Sequence, residues 1–163
     1  MVWGKRNAAI EVPMTNERER QTYYGAINLL TQTVHLQERP VGDGANTVAY
    51  LRWCQTLYPA KQLLLLWDGA SYHRGQELQR FLTQENAGLA VADWKITCLL
   101  FAPNAPEQNP VEDLWLKGKT YLRKQFALNK TFAAVKHCFS TFLRSLSFAS
   151  SKCRWYWPDL QMI

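Results

Sequence analysis

An uninterrupted apolar run, Leu63 to Trp67, constrains the fold of this chain more than any other feature, and it ends at Asp68-Gly69. The run is far shorter than the roughly 20 apolar residues that cross a membrane as a helix. A continuous apolar stretch bounded by polar residues is typical of a central strand that is buried on both faces of a sheet. The sequence therefore predicts an α/β protein with a buried strand over Lys61–Trp67.

The segments around this strand carry patterns of their own. β-Branched and aromatic residues predict two strands near the N-terminus, a second buried run predicts another strand, and apolar residues at helical spacing predict four helices. The predicted strands are Thr22–Leu30, Thr31–Gln37, Lys61–Trp67 and Ile96–Phe101, and the predicted helices are Thr47–Leu57 (capped by Asn46), Arg74–Glu85, Pro110–Phe126 and Thr131–Leu146. The order β-β-α-β-α-β-α-α predicts a mixed α/β sheet flanked by helices.

Length and composition fit one soluble domain. A chain of 163 residues suits a single core, and 47% hydrophobic with 20% charged residues argues against disorder. The N-terminal Met1–Asn7 lacks the apolar region of a secretory signal. The cysteines form no C-x-x-C pair and lie in apolar segments, which predicts buried free thiols in a reducing, cytoplasmic environment and no zinc site. They are Cys54, Cys98, Cys138 and Cys153.

The net charge of +6 lies entirely in the last third of the chain. Up to Pro110, ten Lys/Arg balance ten Asp/Glu, whereas from Val111 onward nine Lys/Arg face three Asp/Glu. Such asymmetry suggests a polyanionic partner, because Lys and Arg near phosphates gain Coulomb energy and release counterions. A pair of solvated basic helices explains the charge equally well.

Two carboxylates are placed for chemistry. Asp68 follows a buried strand, and ligands of open α/β sheets bind beyond the carboxyl ends of the strands; alternatively, Asp68 caps the next turn, as the nearby Ser71 also could. Glu112 lies in Asn109-Pro110-Val111-Glu112, a helix start with Asn at N-cap, Pro at N1 and Glu at N3. Glu112 therefore either closes a capping box or lies at the mouth of the sheet.

Two motifs carry a family resemblance. The first is Leu66–His73, a hydrophobic strand that ends in Asp-Gly with a histidine nearby, and the second is a proline-bearing segment that ends in Asn-Pro-Val-Glu before Trp115. Together they resemble the DDE-superfamily endonuclease domain of mariner-like bacterial insertion-sequence transposases, over about Trp3 to Phe126. The resemblance implies an RNase H-like fold, with residues 1–163 forming one partial catalytic domain.

The resemblance also implies a reaction. The family holds two divalent cations, Mg²⁺ or Mn²⁺, between three carboxylates, of which Asp68 matches the second and Glu112 the third. Two metals activate the attacking oxygen and stabilise the leaving one, and hard cations favour oxygen ligands. Water first cuts the transposon end, and the freed 3′-hydroxyl then attacks the target. The implied partners are double-stranded DNA, as transposon ends and target, and a second copy of the transposase.

This chain departs from the family pattern at its start. The first aspartate is expected on a strand upstream of Trp3-Gly4, so the first strand of the fold is expected to be missing. Glu11 and Asp43 are poor substitutes, because Glu11 lies in a charged, irregular stretch and Asp43 in a glycine turn, and neither is on a buried strand. Either the chain is the second reading frame of a split transposase and requires an upstream transposase segment, or it is a decayed remnant. In both cases we expect the lone chain to cut DNA poorly or not at all.

Basic residues follow Glu112 along the predicted helix. Lys119 and Arg123 share a flank with Glu112, and Lys117 and Lys124 lie on the other. These four are candidate contacts for the DNA backbone, or else a solvated helix flank. Further basic residues could extend this surface: Lys130, Lys136, Arg144, Lys152 and Arg154. His73 falls where the family commonly has a histidine and is a minor candidate for orienting a phosphate or Asp68.

Two other functions fit the same features. A DNA-binding or dimerising fragment without catalytic activity would bind DNA in a salt-sensitive manner without metal. An RNase H-like nuclease that acts on RNA–DNA hybrids is a further alternative, although the Asn-Pro-Val-Glu helix start is more typical of transposases.

Overall fold

In the part of the chain that the structure describes, four strands and four α-helices follow one another in the order that the sequence predicts. The computed structural model describes residues 19–103, 105–125, 127 and 131–147. The elements are β1 (Thr22–Ile27), β2 (Val34–Arg39), α1 (Gly44–Leu57), β3 (Leu63–Trp67), α2 (Gln76–Glu85), β4 (Ile96–Leu100), α3 (Pro110–Lys124) and α4 (Phe132–Arg144), with short 3₁₀ turns at Ser71–His73, Val91–Asp93 and Pro106–Gln108. Among the described helices, none combines the length and apolar character that crossing a membrane requires.

β1 and β2 form an antiparallel pair in which Thr22 lies opposite Arg39 and Ile27 opposite Val34. Both strands are displaced from their predicted bounds because the connection is longer than the sequence suggested. The Asn28 side chain accepts hydrogen bonds from the backbone N–H groups of Leu30 and Thr31, at 2.9 and 3.0 Å. An Asx turn of this kind competes with strand pairing, so the residues that follow Ile27 form the turn.

β3 and β4 form a parallel pair with Leu63 opposite Ile96 and Trp67 opposite Leu100. A parallel pair requires a crossover connection, which α2 supplies. The mixed α/β architecture is confirmed, but within the described residues the strands form two separate two-stranded sheets. Because β3 and β4 run in the same direction, their carboxyl ends lie at one edge, and the Phe101 N–H donates to the Trp67 carbonyl at 2.8 Å to extend the pairing.

The helices lie in two groups. α1 and α2 contribute Leu51, Leu78 and Phe81 to a core with Ile96, against which Leu63, Leu65 and Trp67 pack. α3 and α4 contribute Leu114, Phe139 and Leu143 to a second core with Val34 and Leu36. Burial of these leucine and phenylalanine side chains is the main favourable contribution to folding.

The prediction that β3 is buried on both faces is wrong. Leu64 is 52% exposed, and Leu99 on β4 is 48% exposed. Alternate residues of a strand point to opposite faces, so Leu63, Leu65 and Trp67 meet α1 and α2 while Leu64 points the other way. α3 and α4 pack against β1 and β2 instead, and the face that carries Leu64 and Leu99 remains exposed.

The predicted cap of α1 is also wrong. The helix begins at Gly44 with Asp43 as its N-cap, and Asp43 Oδ1 accepts hydrogen bonds from the Asn46 backbone N–H at 2.8 Å and from Asn46 Nδ2 at 2.9 Å. Asp caps as well as Asn, and here it satisfies one of the free N–H groups of the first turn. Asp43, one of the two weak substitutes for the first acid, is thus engaged as a helix cap.

α4 is held to the antiparallel pair by polar contacts between distant parts of the sequence. The Ser140 hydroxyl donates to Glu38 Oε1 at 2.7 Å across 102 positions. Lys136 Nζ donates to Gln21 Oε1 at 3.1 Å, across 115 positions, and lies 3.7 Å from Glu38 Oε2. Lys136 therefore has partners within the fold, which argues against its predicted place on a DNA-binding surface.

His35 makes the stability of the fold sensitive to pH. Its Nε2 lies 2.6 Å from the Tyr58 hydroxyl, and burial lowers the pKa of its imidazole. A lowered folded pKa means that the unfolded chain binds a proton more readily, so stability is complete above the unfolded value of about 6.5 and is lost as the pH falls below it. We expect urea unfolding to show this loss between about pH 7.5 and 5.5, and His35→Gln to reduce it.

His137 provides a matched control, because it is exposed on α4. His137→Gln is expected to leave the pH dependence of unfolding unchanged. An equal reduction by both substitutions would show that burial of His35 is not the cause.

Candidate active site

Asp68 lies directly after β3, at the carboxyl edge of the parallel pair. Its Oδ1 accepts a hydrogen bond from the Ala70 backbone N–H at 3.0 Å and lies 3.0 Å from His73 Nδ1. The carboxylate thus caps the turn, as one alternative from the sequence held. Its side chain is nevertheless 55% exposed, and Oδ2 has no hydrogen-bond partner in the described ranges. One oxygen holds the turn while the other is free for a ligand.

His73 is held beside Asp68 by aromatic packing. Its ring stacks on Trp67 with centroids 4.3 Å apart and planes within 4°, and it meets Tyr72 edge-on at 4.6 Å. Its side chain is 12% exposed, and Nδ1 also lies 3.1 Å from the Asp68 carbonyl oxygen. The Nδ1–H therefore donates to the Asp68 backbone carbonyl and keeps the imidazole beside the Asp68 carboxylate.

Glu112 occupies the first turn of α3. Asn109 caps the helix by accepting from the Val111 N–H at 3.1 Å, with Pro110 next, as the sequence predicts. The capping box is not closed, because the Glu112 carboxylate makes no hydrogen bond or ion pair to any residue that the structure describes. The side chain is exposed. The cap is therefore formed by Asn109, and the Glu112 carboxylate is free.

The packing of α3 against β1 brings Glu112 toward the sheet edge. A Cβ atom on Gly25 would lie 2.6 Å from Trp115 Cη2, so the absence of a side chain at this position lets Trp115 approach the strand. Trp115 packs against the core that contains Leu114 and Phe139. The position of Glu112 is thus fixed by residues one turn farther along the same helix.

Asp68 and Glu112 line one cleft of about 490 Å³. Its other lining residues come from the turn after β3, the end of β4 and the loop before α3: Gly69, Arg74, Leu100, Phe101, Ala102, Pro103, Ala105 and Asn109. The loop is held in place where the Ala102 N–H donates to Gln108 Oε1 at 3.1 Å. The structure therefore brings the two predicted carboxylates together.

A second groove, of about 140 Å³, shares the same two carboxylates. It is lined by residues 22–25 of β1, by residues 66–68 at the end of β3, and by Tyr72, His73 and Trp115. The groove thus lies between the antiparallel and the parallel pairs of strands.

The four predicted DNA contacts lie outside the cleft lining. Lys117, Lys119, Arg123 and Lys124 are all exposed on α3. Arg144 is also exposed, whereas Lys130, Lys152 and Arg154 lie outside the described residues, as does Glu11.

Arg74 is the cleft residue that the sequence did not indicate. It lines the cleft beside Asp68 and Glu112, and its Nη2 donates to the Gly69 carbonyl at 3.0 Å. From the sequence alone, Arg74 is predicted only to begin a helix, because no motif or spacing places a cation near the two carboxylates.

Neither Cys54 nor Cys98 provides a nucleophile. Burial raises the pKa of Cys54 to about 11 and that of Cys98 to about 12, so both are thiols at neutral pH. Cys54 and Cys98 are free thiols, as predicted, but Cys54 alone of the described cysteines is fully buried, since Cys98 and Cys138 are half-buried; Cys153 lies outside the described residues.

Comparison with known proteins identifies the family and supports the fold. Residues 2–133 match the family model described as DDE superfamily endonuclease. A chain in the cryo-EM structure of the simian T-cell lymphotropic virus intasome, in complex with PP2A regulatory subunit B56 gamma, superposes with a TM-score of 0.53 at 17% identity. The match covers 83% of this chain and 47% of that chain, so the likeness spans about half of the longer protein and supports the RNase H-like fold. No curated protein matches the sequence.

Proposed function

Since the chain belongs to the DDE superfamily endonuclease family, we propose that it is the catalytic core of a metal-dependent DNA transposase of the mariner-like bacterial insertion-sequence type. The observation that carries this proposal is the meeting of Asp68 and Glu112 in one cleft, although they lie on separate elements. Two exposed carboxylates at the carboxyl edge of a parallel strand pair suit the cleavage and transfer of phosphodiester bonds.

The donor set fits a hard divalent cation. Asp68 offers a free Oδ2 and Glu112 an uncommitted carboxylate, and oxygen ligands of this kind suit Mg²⁺ or Mn²⁺. Asp68 and Glu112 would hold the metal, with two ions in the complete site. Bound there, the metal would supply Lewis-acid stabilisation of the charge that develops on the phosphate. His73 and the Ala70 N–H keep Asp68 oriented.

The described residues contribute two carboxylates to the cleft, whereas the proposed reaction needs three. Within the described residues, no group of three His, Cys, Asp or Glu side chains is arranged to hold a metal ion. A strand added between β1 and β3 would join both pairs into one mixed sheet and would end beside Asp68. We therefore propose that an upstream transposase segment supplies such a strand with its acid, and we expect the lone chain to be inactive or nearly so.

The test is cleavage of DNA that carries the ends of the element. The chain is joined to the residues encoded directly upstream, in whichever frame contains an acidic strand, and incubated with Mn²⁺ or Mg²⁺. Cleavage that depends on metal supports the proposal. If the joined protein folds and binds DNA yet never cuts it under either metal, the catalytic assignment is wrong and DNA binding alone is the better description.

DNA binding without cleavage is the second candidate function. It is favoured by the two-carboxylate site of the described residues together with the basic surface of α3. A remnant of this kind would bind the transposon ends, or pair with a complete transposase, and block its assembly.

The basic residues of α3 give a prediction that both functions share. Replacing Lys117, Lys119, Arg123 and Lys124 by Gln should lower DNA affinity and flatten its salt dependence. Each lost phosphate contact reduces the slope of log K against log salt by about 0.9, because fewer counterions are released. Fluorescence anisotropy with a labelled duplex measures both quantities.

Lys61 and Lys95 serve as controls, because they are exposed at the opposite, amino-terminal edge of β3 and β4. Their replacement by Gln should change the slope little. If the α3 variant keeps the full slope of the original chain, α3 does not contact the DNA backbone.

A further inference from the structure

Arg74 stands out because it is a cation on the wall of a cleft that two carboxylates share. It follows the 3₁₀ turn Ser71–His73 and lines the cleft of about 490 Å³ together with Asp68 and Glu112. Its side chain is exposed to solvent, as are both carboxylates. Cation and carboxylates thus face the same solvent-filled space.

Arg74 does not neutralise either carboxylate. In the part of the chain that the structure describes, it forms no ion pair, and its hydrogen bond runs to the Gly69 carbonyl at 3.0 Å. A guanidinium has five N–H donors, and this bond uses one of them. The remaining donors can bind an anion that enters the cleft.

The chemistry of such an anion is constrained by its neighbours. A carboxylate ligand would gain no binding energy from Asp68 and Glu112. A phosphodiester, by contrast, is the group on which metal ions held by carboxylates act. Arginine binds phosphate oxygens through two parallel N–H bonds, which fixes orientation as well as position. The cleft therefore combines groups for holding a metal with a group for holding the backbone of a nucleic acid.

We infer that Arg74 binds a phosphate of the DNA backbone beside the bond that the cleft cuts, and so positions the substrate strand against Asp68 and Glu112. This inference rests on the proposed function, since it needs DNA in the cleft. It differs from the predicted contacts on α3, which lie outside the cleft and would hold DNA at a distance from the carboxylates.

A purely structural role for Arg74 is the alternative, because its bond to Gly69 spans the turn that contains Asp68. Two substitutions separate the roles. Arg74→Gln keeps an N–H donor for the Gly69 carbonyl but removes the charge. Arg74→Lys keeps the charge but loses paired hydrogen bonding. If the residue only supports the turn, Gln should serve as well as Arg.

The experiment measures binding of a fluorescein-labelled duplex to the full chain between about 50 and 200 mM salt. Arg74→Gln is expected to weaken binding about tenfold at the lower salt concentration and to reduce the salt slope by about 0.9. Arg74→Lys should weaken binding less and keep the slope. Arg80→Gln, on the exposed side of α2, is the matched control and should leave both the affinity and the salt slope unchanged.

The amide NMR signal of Ala70 reports whether the turn is intact, because this N–H donates to Asp68. The signal should stay in place in Arg74→Gln.

The possible outcomes distinguish failure of the inference about Arg74 from failure of the proposed function. If the original chain binds DNA and Arg74→Gln binds with the same affinity and slope, the inference about Arg74 is wrong while the proposed function stands. If the original chain shows no salt-dependent binding of DNA, the inference about Arg74 is wrong, and the proposed function is decided separately by cleavage with the joined protein. If either variant fails to fold, the Arg74 Nε–H signal of the labelled original chain decides the matter: a shift on adding duplex supports the contact, and an unmoved signal overturns it.

Discussion

Replacing Asp68 by Asn should lower the rate of metal-dependent DNA cleavage by more than about 100-fold, since substitutions of residues that only support a metal ligand already cost about 10- to 100-fold. Asn is the conservative choice here. Its Oδ1 can still accept from the Ala70 N–H at the position that Asp68 uses, so the turn is retained while the negative charge is lost. The measurement is single-turnover cleavage of DNA with the element's ends by the chain joined to its upstream segment. Glu112→Gln should have a similar effect, because Asn109 rather than Glu112 caps α3.

Asp93→Asn and Glu107→Gln are the matched controls. Both side chains are exposed and neither lines the cleft. Their cleavage rates should remain within about twofold of the original, in keeping with the small effects of ordinary surface changes. Cleavage that survives Asp68→Asn and Glu112→Gln would mean that the metal-binding carboxylates lie elsewhere in the protein.

Leu114→Ala should lower the free energy of unfolding by about 2–5 kcal/mol, the usual result of deleting a fully buried leucine side chain. Leu114 has 0% exposure and lies in the core that joins α3 and α4 to β1 and β2. A domain is stable by only about 5–15 kcal/mol, so the loss is a large fraction of the total. Urea denaturation measures it. Because Leu114 is two positions from Glu112, the substitution also loosens the helix that carries the carboxylate.

Leu116→Ala is the control on the same helix. Leu116 is 58% exposed, and its loss should change the free energy of unfolding by less than about 1 kcal/mol. Equal destabilisation by the two substitutions would contradict the packing of α3 described above.

The order of strands and helices could be predicted because each element carries its own periodic pattern. The apolar runs that end at Trp67 and Leu100 needed no tertiary information, and neither did the Asn109-Pro110 helix start. The errors arose where two polar residues competed for one role or where burial depended on a distant element. Asp43 rather than Asn46 caps α1, and Leu64 is exposed because α3 and α4 pack on the other pair of strands.

The candidate site could be predicted only in part. Asp68 and Glu112 stand in recognisable motifs, but their presence in one cleft depends on the packing of Trp115 against Gly25, to which no local pattern points. Arg74 was missed for the same reason. Arg74 lines the cleft because it follows the turn Ser71–His73 and bonds to the Gly69 carbonyl, whereas its sequence position indicates only a helix start.

The long-range contacts of α4 determine when the cleft can form during synthesis. The parallel pair and its two helices join residues that are close in sequence, and such units fold early as the chain emerges. The half that carries Glu112 is joined by α4, whose Ser140 and Lys136 contact Glu38 and Gln21 across more than 100 positions. We therefore expect a nascent chain to display Asp68 before Glu112 is held beside it. We also expect a product that ends before α4 to lack the packing of Phe139 and Leu143 that supports α3.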